Sequence, residues 1–144
     1  MPDRRLWTAR LALEMGDPLS ERDFQLACEA EAEACGFELL YHVKDSRLDR
    51  RRGFPDLILA YAPSPARGLG GRVIVAELKV PPNRPTEEQY RWLRAFAAVG
   101  LETYLWYPRD WPQIKRILAG DVRFPGQPPD GSGWLPAAPQ QSSR

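Results

Sequence analysis

The chain carries one histidine and two cysteines in 144 residues. That scarcity leaves almost no material for a zinc site or for a histidine-based nucleophile relay. Net charge is equally scarce, since 20 Lys and Arg stand against 19 Asp and Glu for a balance of +1. No global field therefore advertises a nucleic-acid or membrane partner, and any such partner must be met by a local patch. Lysine is rare, 3 against 17 arginines, so positive charge sits mostly on planar forks suited to phosphate. No apolar run approaches the roughly 18 residues needed to span a bilayer, so no membrane association is expected. The stretch from Met1 to Met15 has no continuous apolar run ending in small residues, so no signal peptide is expected either, and the location read from the sequence is cytoplasmic. Cys28 and Cys35 fall on one predicted helix with Cα atoms about 10 Å apart, beyond disulfide reach. Both are expected to be reduced and buried as small hydrophobes.

What is present is one domain's length of chain, 43% hydrophobic and 27% charged, close to the globular average. No internal repeat is visible. Residues 1–18 read as an N-terminal arm or short helix ending at the breaker cluster Gly16-Asp17-Pro18. Residues 120–144 read as a Pro/Gly-rich tail, in which Trp134 is the one large apolar residue expected to dock. Between them, Ser20 with Asp23 marks a helix start, and Phe24, Ala27, Cys28, Glu31 and Cys35 keep helical spacing up to Gly36. Phe37–Val43, Pro55–Ala62 and Arg72–Val80 read as strands. Thr86–Val99 reads as a capped helix with Trp92, Phe96 and Val99 on one stripe. Glu102–Tyr107 is a fourth strand, and a short helix follows from Asp110 or Trp111 to about Ala119. The order αβββαβα predicts a mixed α/β domain, over residues 19–119, around a four-stranded sheet flanked by helices. Trp106 and Trp111 are expected to pack in its core.

The third strand holds an anomaly. An apolar run, Val-Ile-Val-Ala, is followed by Glu77-Leu78-Lys79-Val80. Alternation puts Val73, Val75, Glu77 and Lys79 on one face, with the two charged residues about 6.8 Å apart along the strand. An unpaired buried charge is costly, so that face must meet solvent, a partner charge or a metal. Strands two and three can pair antiparallel across the Pro63–Gly71 loop. If Tyr61 pairs with Arg72, Asp56 falls opposite Glu77 and shares its face; a slip of one residue would turn it away. Two hard carboxylates completed by water suit Mg²⁺ or Mn²⁺.

The set Gly-Phe-Pro55-Asp56, then Glu77-Leu78-Lys79, then Gln89-Tyr90-Arg91-Trp92-Leu93 resembles the PD-(D/E)XK nuclease superfamily. Within it the chain most resembles the VRR-NUC (virus-type replication-repair nuclease) family. That likeness extends to Ser20-Glu21, Tyr41-His42, Gly100, and Tyr104-Leu105-Trp106-Tyr107-Pro108-Arg109-Asp110-Trp111, and runs from about Leu19 to Ala119. The resemblance implies a restriction-endonuclease-like core and Mg²⁺- or Mn²⁺-dependent DNA hydrolysis, leaving 5′-phosphate and 3′-hydroxyl ends. It implies that Asp56, Glu77 and the backbone carbonyl of Leu78 hold the metal. Lys79 would orient or activate water, Gln89 would hold Lys79 or the water, and Glu21 would complete the site. Stand-alone proteins of this kind resemble junction-resolving enzymes of viral or mobile-element origin, which would place the protein in a host cytoplasm.

Some of these assignments have competitors in the sequence itself. Thr86-x-x-Gln89 is also a capping box, and one side chain cannot both cap and reach the site. Glu31 lies nearer the middle of its helix's apolar stripe than Glu21 and rivals it. The segment 44–53 carries a net +3 through Lys44, Arg47, Arg50, Arg51 and Arg52 against two aspartates. Those five residues, with His42, are the expected DNA contacts. No base-reading module is visible, so recognition is expected to rest on backbone and shape, on branched or junction-containing DNA such as a Holliday junction. Two symmetric cuts need two sites, hence an expected homodimer, with Trp7 and Trp134 as candidate contacts. The alternatives are a sequence-specific restriction-type nuclease and a non-catalytic DNA-binding subunit.

Overall fold

A computed structural model describes residues 3–42, 53–68 and 70–121. Among the described residues the chain forms four α-helices and one four-stranded mixed sheet: α1 (Arg4–Met15), α2 (Glu21–Ala34), β1 (Leu39–His42), β2 (Leu57–Tyr61), β3 (Arg72–Leu78), α3 (Glu87–Ala98), β4 (Glu102–Trp106) and α4 (Trp111–Ala119). No helix among them is long and apolar enough to cross a membrane. The tail from residue 122 onward, with Trp134, lies outside the described residues.

Local chemistry accounts for the helix starts. Ser20 Oγ accepts from the Asp23 N–H at 3.1 Å, and Glu21 and Asp23 place negative charge in the first turn of α2. Asp3 caps α1 by accepting from the Arg5 N–H at 2.9 Å. The N-terminal segment is therefore a helix rather than a free arm. Its Ala9 and Leu13 enter the core against α2, and Trp7 faces solvent. Thr86 and Gln89 close a reciprocal capping box on α3.

The strand order is β1-β2-β3-β4. β1 with β2 and β2 with β3 are antiparallel hairpin pairs; β3 and β4 are parallel, joined by the α3 crossover. Tyr61 pairs with Arg72 and Leu57 with Ala76, the register expected from the sequence. Leu57, Leu59, Ile74, Ala76, Leu78, Tyr104 and Trp106 thus share one face, where α1, α2 and α4 supply Leu13, Phe24, Ala27, Trp111 and Ile114 to a continuous core. Cys28 is buried there and Cys35 is half-buried; both are free thiols. The other face carries Val75, Glu77, Thr103 and Leu105 beneath α3. Leu93, fully buried, anchors that helix; burying such a side chain contributes about 1.5–3 kcal/mol. Val99, expected on the apolar stripe, is exposed because the helix has already ended at Ala98.

One charged pair in the core lies outside the sequence expectations. Arg72 and Glu102 open neighbouring parallel strands on the α2 face and form a two-pronged bridge at 2.9 and 2.7 Å. The Tyr104 hydroxyl donates to the same carboxylate at 2.6 Å, and the Phe37 ring lies 5.7 Å from the guanidinium. Both side chains are almost wholly buried, at 2% and 6% exposure.

Candidate active site

The site stands where β2 begins and β3 ends. Asp56 immediately precedes β2, and continuing the ladder one step beyond Leu57–Ala76 sets it opposite Glu77. Its Oδ2 accepts from the Leu78 N–H at 3.0 Å, which fixes the carboxylate against the end of β3. Glu77 is 0% exposed. Lys79 Nζ lies 3.4 Å from Glu77 Oε2, with its side chain 13% exposed, so the ammonium reaches the buried Glu77 from nearer the surface. Among the described residues no N–H or O–H donates to either Glu77 oxygen. Asp56 stands opposite Glu77 across the ladder, so the charge of each acts on the other.

The electrostatics follow from that packing. Burial pushes Glu77 well above the ordinary carboxylate range, the Asp56 charge pushes the same way, and Lys79 opposes both. Burial also raises Asp56, while the Leu78 N–H and Lys79 hold it back. Glu21, on the first turn of α2, adds its negative field at Asp56. Its rival Glu31 points elsewhere, 3.3 Å from Arg10. Of the two, Glu21 is the one whose charge acts on Asp56.

The residues before Asp56 explain how it is held. Gly53 has φ +86°, and a Cβ built there would lie 2.7 Å from the backbone carbon and Cβ of Glu88. Only glycine allows the chain to press this closely against the start of α3. Phe54 then packs edge-on against Trp92 and Phe96, with ring centroids 5.0 and 5.9 Å away, and Pro55 is buried. The stretch Gly-Phe-Pro is a clamp that delivers Asp56 from α3 to β3. Gly53→Ala is expected to destabilise the fold by about 1–3 kcal/mol in denaturant unfolding, and by more than Gly36→Ala. Gly36 also has positive φ, but nothing lies within 4 Å of its Cβ position; equal costs at the two positions would remove the clamp.

Other expected residues are placed differently. Gln89 takes the capping alternative: its Oε1 accepts from the Thr86 N–H at 2.8 Å, so that oxygen is not free to hold Lys79. His42 pairs with Leu57, which puts it on the sheet face opposite Asp56 by simple alternation; the structure does not bring it to the carboxylates. Lys44, Arg47, Arg50, Arg51 and Arg52 lie outside the described residues. Leu78 meets Asp56 through its N–H. Trp106 and Trp111 are core residues as expected, and the Trp111 indole N–H donates to Glu14 at 3.0 Å. The aromatic anchor Phe54–Trp92–Phe96 was not read from the sequence as part of the site. The signal was the adjacency of Phe54 to the Pro-Asp step, together with two aromatics spaced four apart on α3.

No family model matches the chain, and no curated protein or solved structure gives a match.

Proposed function

We propose that the protein is a metal-dependent DNA endonuclease of the PD-(D/E)XK type, with VRR-NUC-like character, and that Asp56, Glu77 and Lys79 are its catalytic residues. The observation that carries the reading is the pairing of the half-buried Asp56, at the entry to β2, with the fully buried Glu77 on β3, whose oxygens have no hydrogen-bond donor, beside the Lys79 ammonium. A buried carboxyl group with no hydrogen-bond donor, and only the Lys79 ammonium 3.4 Å from one of its oxygens, can accept a further cation. Among the described residues no three acidic, His or Cys side chains form a closed metal cage. Mg²⁺ is commonly held by only one or two carboxylates and keeps several waters, so an open two-carboxylate set fits it.

On this reading Asp56 and Glu77 would hold Mg²⁺ or Mn²⁺, with the Leu78 carbonyl as a third oxygen. Such an ion, when bound, supplies an acidified water and counter-charge for the phosphorane. Lys79 donates to the developing negative charge or orients the attacking water, a task for a compact ammonium rather than a fork. Glu77 keeps that ammonium in place. Glu21 adds negative field from α2. The clamp before Asp56 limits its movement, so the carboxylate meets the phosphate preorganised. Cleavage of branched DNA, in two symmetric cuts by a homodimer, belongs to the same proposal.

The test is cleavage with Mg²⁺ of a panel of duplex, flap, splayed-arm and four-way junction DNA, with solution mass measured in parallel. Lys79→Ala is expected to lower the cleavage rate by about 100-fold or more while the variant remains folded and DNA binding stays near wild type. Unchanged cleavage in this variant would overturn the assignment. Cutting of plain duplex at one fixed sequence would point to a restriction-type enzyme, and binding without metal-dependent cleavage to a non-catalytic subunit.

A further inference from the structure

In open α/β sheets, ligands bind outside the carboxyl ends of parallel strands. β3 and β4 are the parallel pair here, and Glu77 and Lys79 lie at that end of β3. The ladder runs one step past Leu78–Trp106, since the Lys79 N–H donates to the Trp106 carbonyl at 3.0 Å. Lys79 is therefore beside Tyr107, about 4.8 Å away in the strand-pairing direction, and on the same face. Two chain segments leave this end: one carries Arg84 between β3 and α3, the other carries Arg109 just after β4. The Arg109 guanidinium lies over the Tyr107 ring, 4.4 Å from its centroid. Both guanidiniums are exposed, and the charge of each acts on Tyr107. Neither has a carboxylate ion pair among the described residues; the nearby acids are occupied, Asp110 by the Tyr107 N–H at 2.9 Å and Glu87 by Arg94 at 3.0 Å. Burial raises the Tyr107 hydroxyl's pKa, and Tyr90 adds to this, so it remains a proton donor.

We infer that Arg109, seated on the Tyr107 ring, and Arg84, on the other chain segment leaving this end of the sheet, form a binding site for one phosphodiester group of a nucleic-acid strand, adjoining Lys79 on the β4 side of the carboxylate pair. Planar forks and a phenolic donor are the groups that recognise a phosphate's oxygens. The sequence reading put the basic contacts in segment 44–52, which lies outside the described residues; this site draws on other arginines. A strand engaging it would have the phosphate beside Lys79 fixed from the β4 side. The inference rests on the nuclease reading for its choice of ligand.

The experiment measures binding of a labelled short duplex and a four-way junction in EDTA, where no hydrolysis can occur, over a range of salt. The double variant Arg84→Gln/Arg109→Gln is compared with Arg116→Gln, an exposed arginine on α4 at the other face of the sheet. Loss of one phosphate contact should weaken binding about tenfold or more and lower the salt slope by about 1, with the unfolding midpoint unchanged. Arg116→Gln should match wild type. An unchanged slope in the double variant, an equal loss in Arg116→Gln, or no binding by wild type would overturn the site. Cleavage by wild type with Mg²⁺ is scored separately. If cleavage is absent while the double variant loses binding, the phosphate site stands and the hydrolytic reading falls.

Discussion

Glu77→Gln is expected to abolish metal-dependent cleavage while making the metal-free protein more stable. The two effects have one cause. Glu77 is fully buried with no hydrogen-bond donor to its oxygens, and the Asp56 charge opposite it outweighs what Lys79, 3.4 Å away, offsets. Ionising both groups without a cation places like charges together in a low-dielectric pocket. A neutral amide removes that repulsion and can donate to Asp56. The expected gain is about 1–3 kcal/mol, while cleavage falls about 1,000-fold or more.

The sign with pH follows from the direction of the shift. Burial holds the folded-state pKa of Glu77 well above its ordinary value of 4.5. A raised carboxyl pKa gives stability that is complete below the ordinary range and is lost as pH rises through the folded value. The wild-type protein in EDTA should therefore lose stability as pH rises above the ordinary carboxylate range. Asp56, shifted the same way, contributes with the same sign. Glu77→Gln should flatten this slope, and added Mg²⁺ should flatten it in wild type by binding the folded state. Denaturant unfolding at several pH values with EDTA or Mg²⁺ measures it. A flat wild-type profile, or a Gln variant weaker than wild type, would contradict the arrangement of the pair.

A second large effect is expected on the opposite face of the sheet. Glu102→Ala should cost about 3–5 kcal/mol, because it leaves the Arg72 guanidinium buried without its partner. Native domains have only about 5–15 kcal/mol in hand, so the variant should unfold at much lower urea. The double variant Arg72→Met/Glu102→Leu should recover most of the loss, since an apolar pair of similar size carries no desolvation cost. Cleavage measured where both proteins are folded should be unaffected, as the bridge is on the α2 side and the carboxylate pair on the α3 side. A double variant as unstable as the single one would show that packing around Phe37 and Tyr104, rather than the orphaned charge, dominates.

The course of the fold was legible where periodicity speaks. The apolar stripe of α2, the cap at Ser20 and the four apolar strand runs appear close to their expected limits. The pairing of Tyr61 with Arg72 followed from loop position and alternation alone, and it brought Asp56 to Glu77. The choice between Glu21 and Glu31 was not legible, because both edge the same stripe; only the docking of α1, which supplies Arg10 to Glu31, separates them. Gln89 had two roles open to it, and the local one prevailed because its partner is three residues away while the site is across the chain. Arg72 was passed over because a charge at a strand's first position reads as solvated. Its counterpart Glu102 opens β4, and nothing in the spacing of residues 72 and 102 says that those two strands lie side by side until the α3 crossover is folded.

The clamp at Gly53 has a consequence for how such a protein can change. His42 is held by its pairing with Leu57, and Gly53 by its seat on α3. The chain on either side of residues 43–52 thus rests on described elements, β2 before it and α3 after it. Changes of length or sequence between those two anchors are expected to leave Asp56 in its place. New preferences for a nucleic-acid shape can then be acquired at that position while the chemistry stays constant.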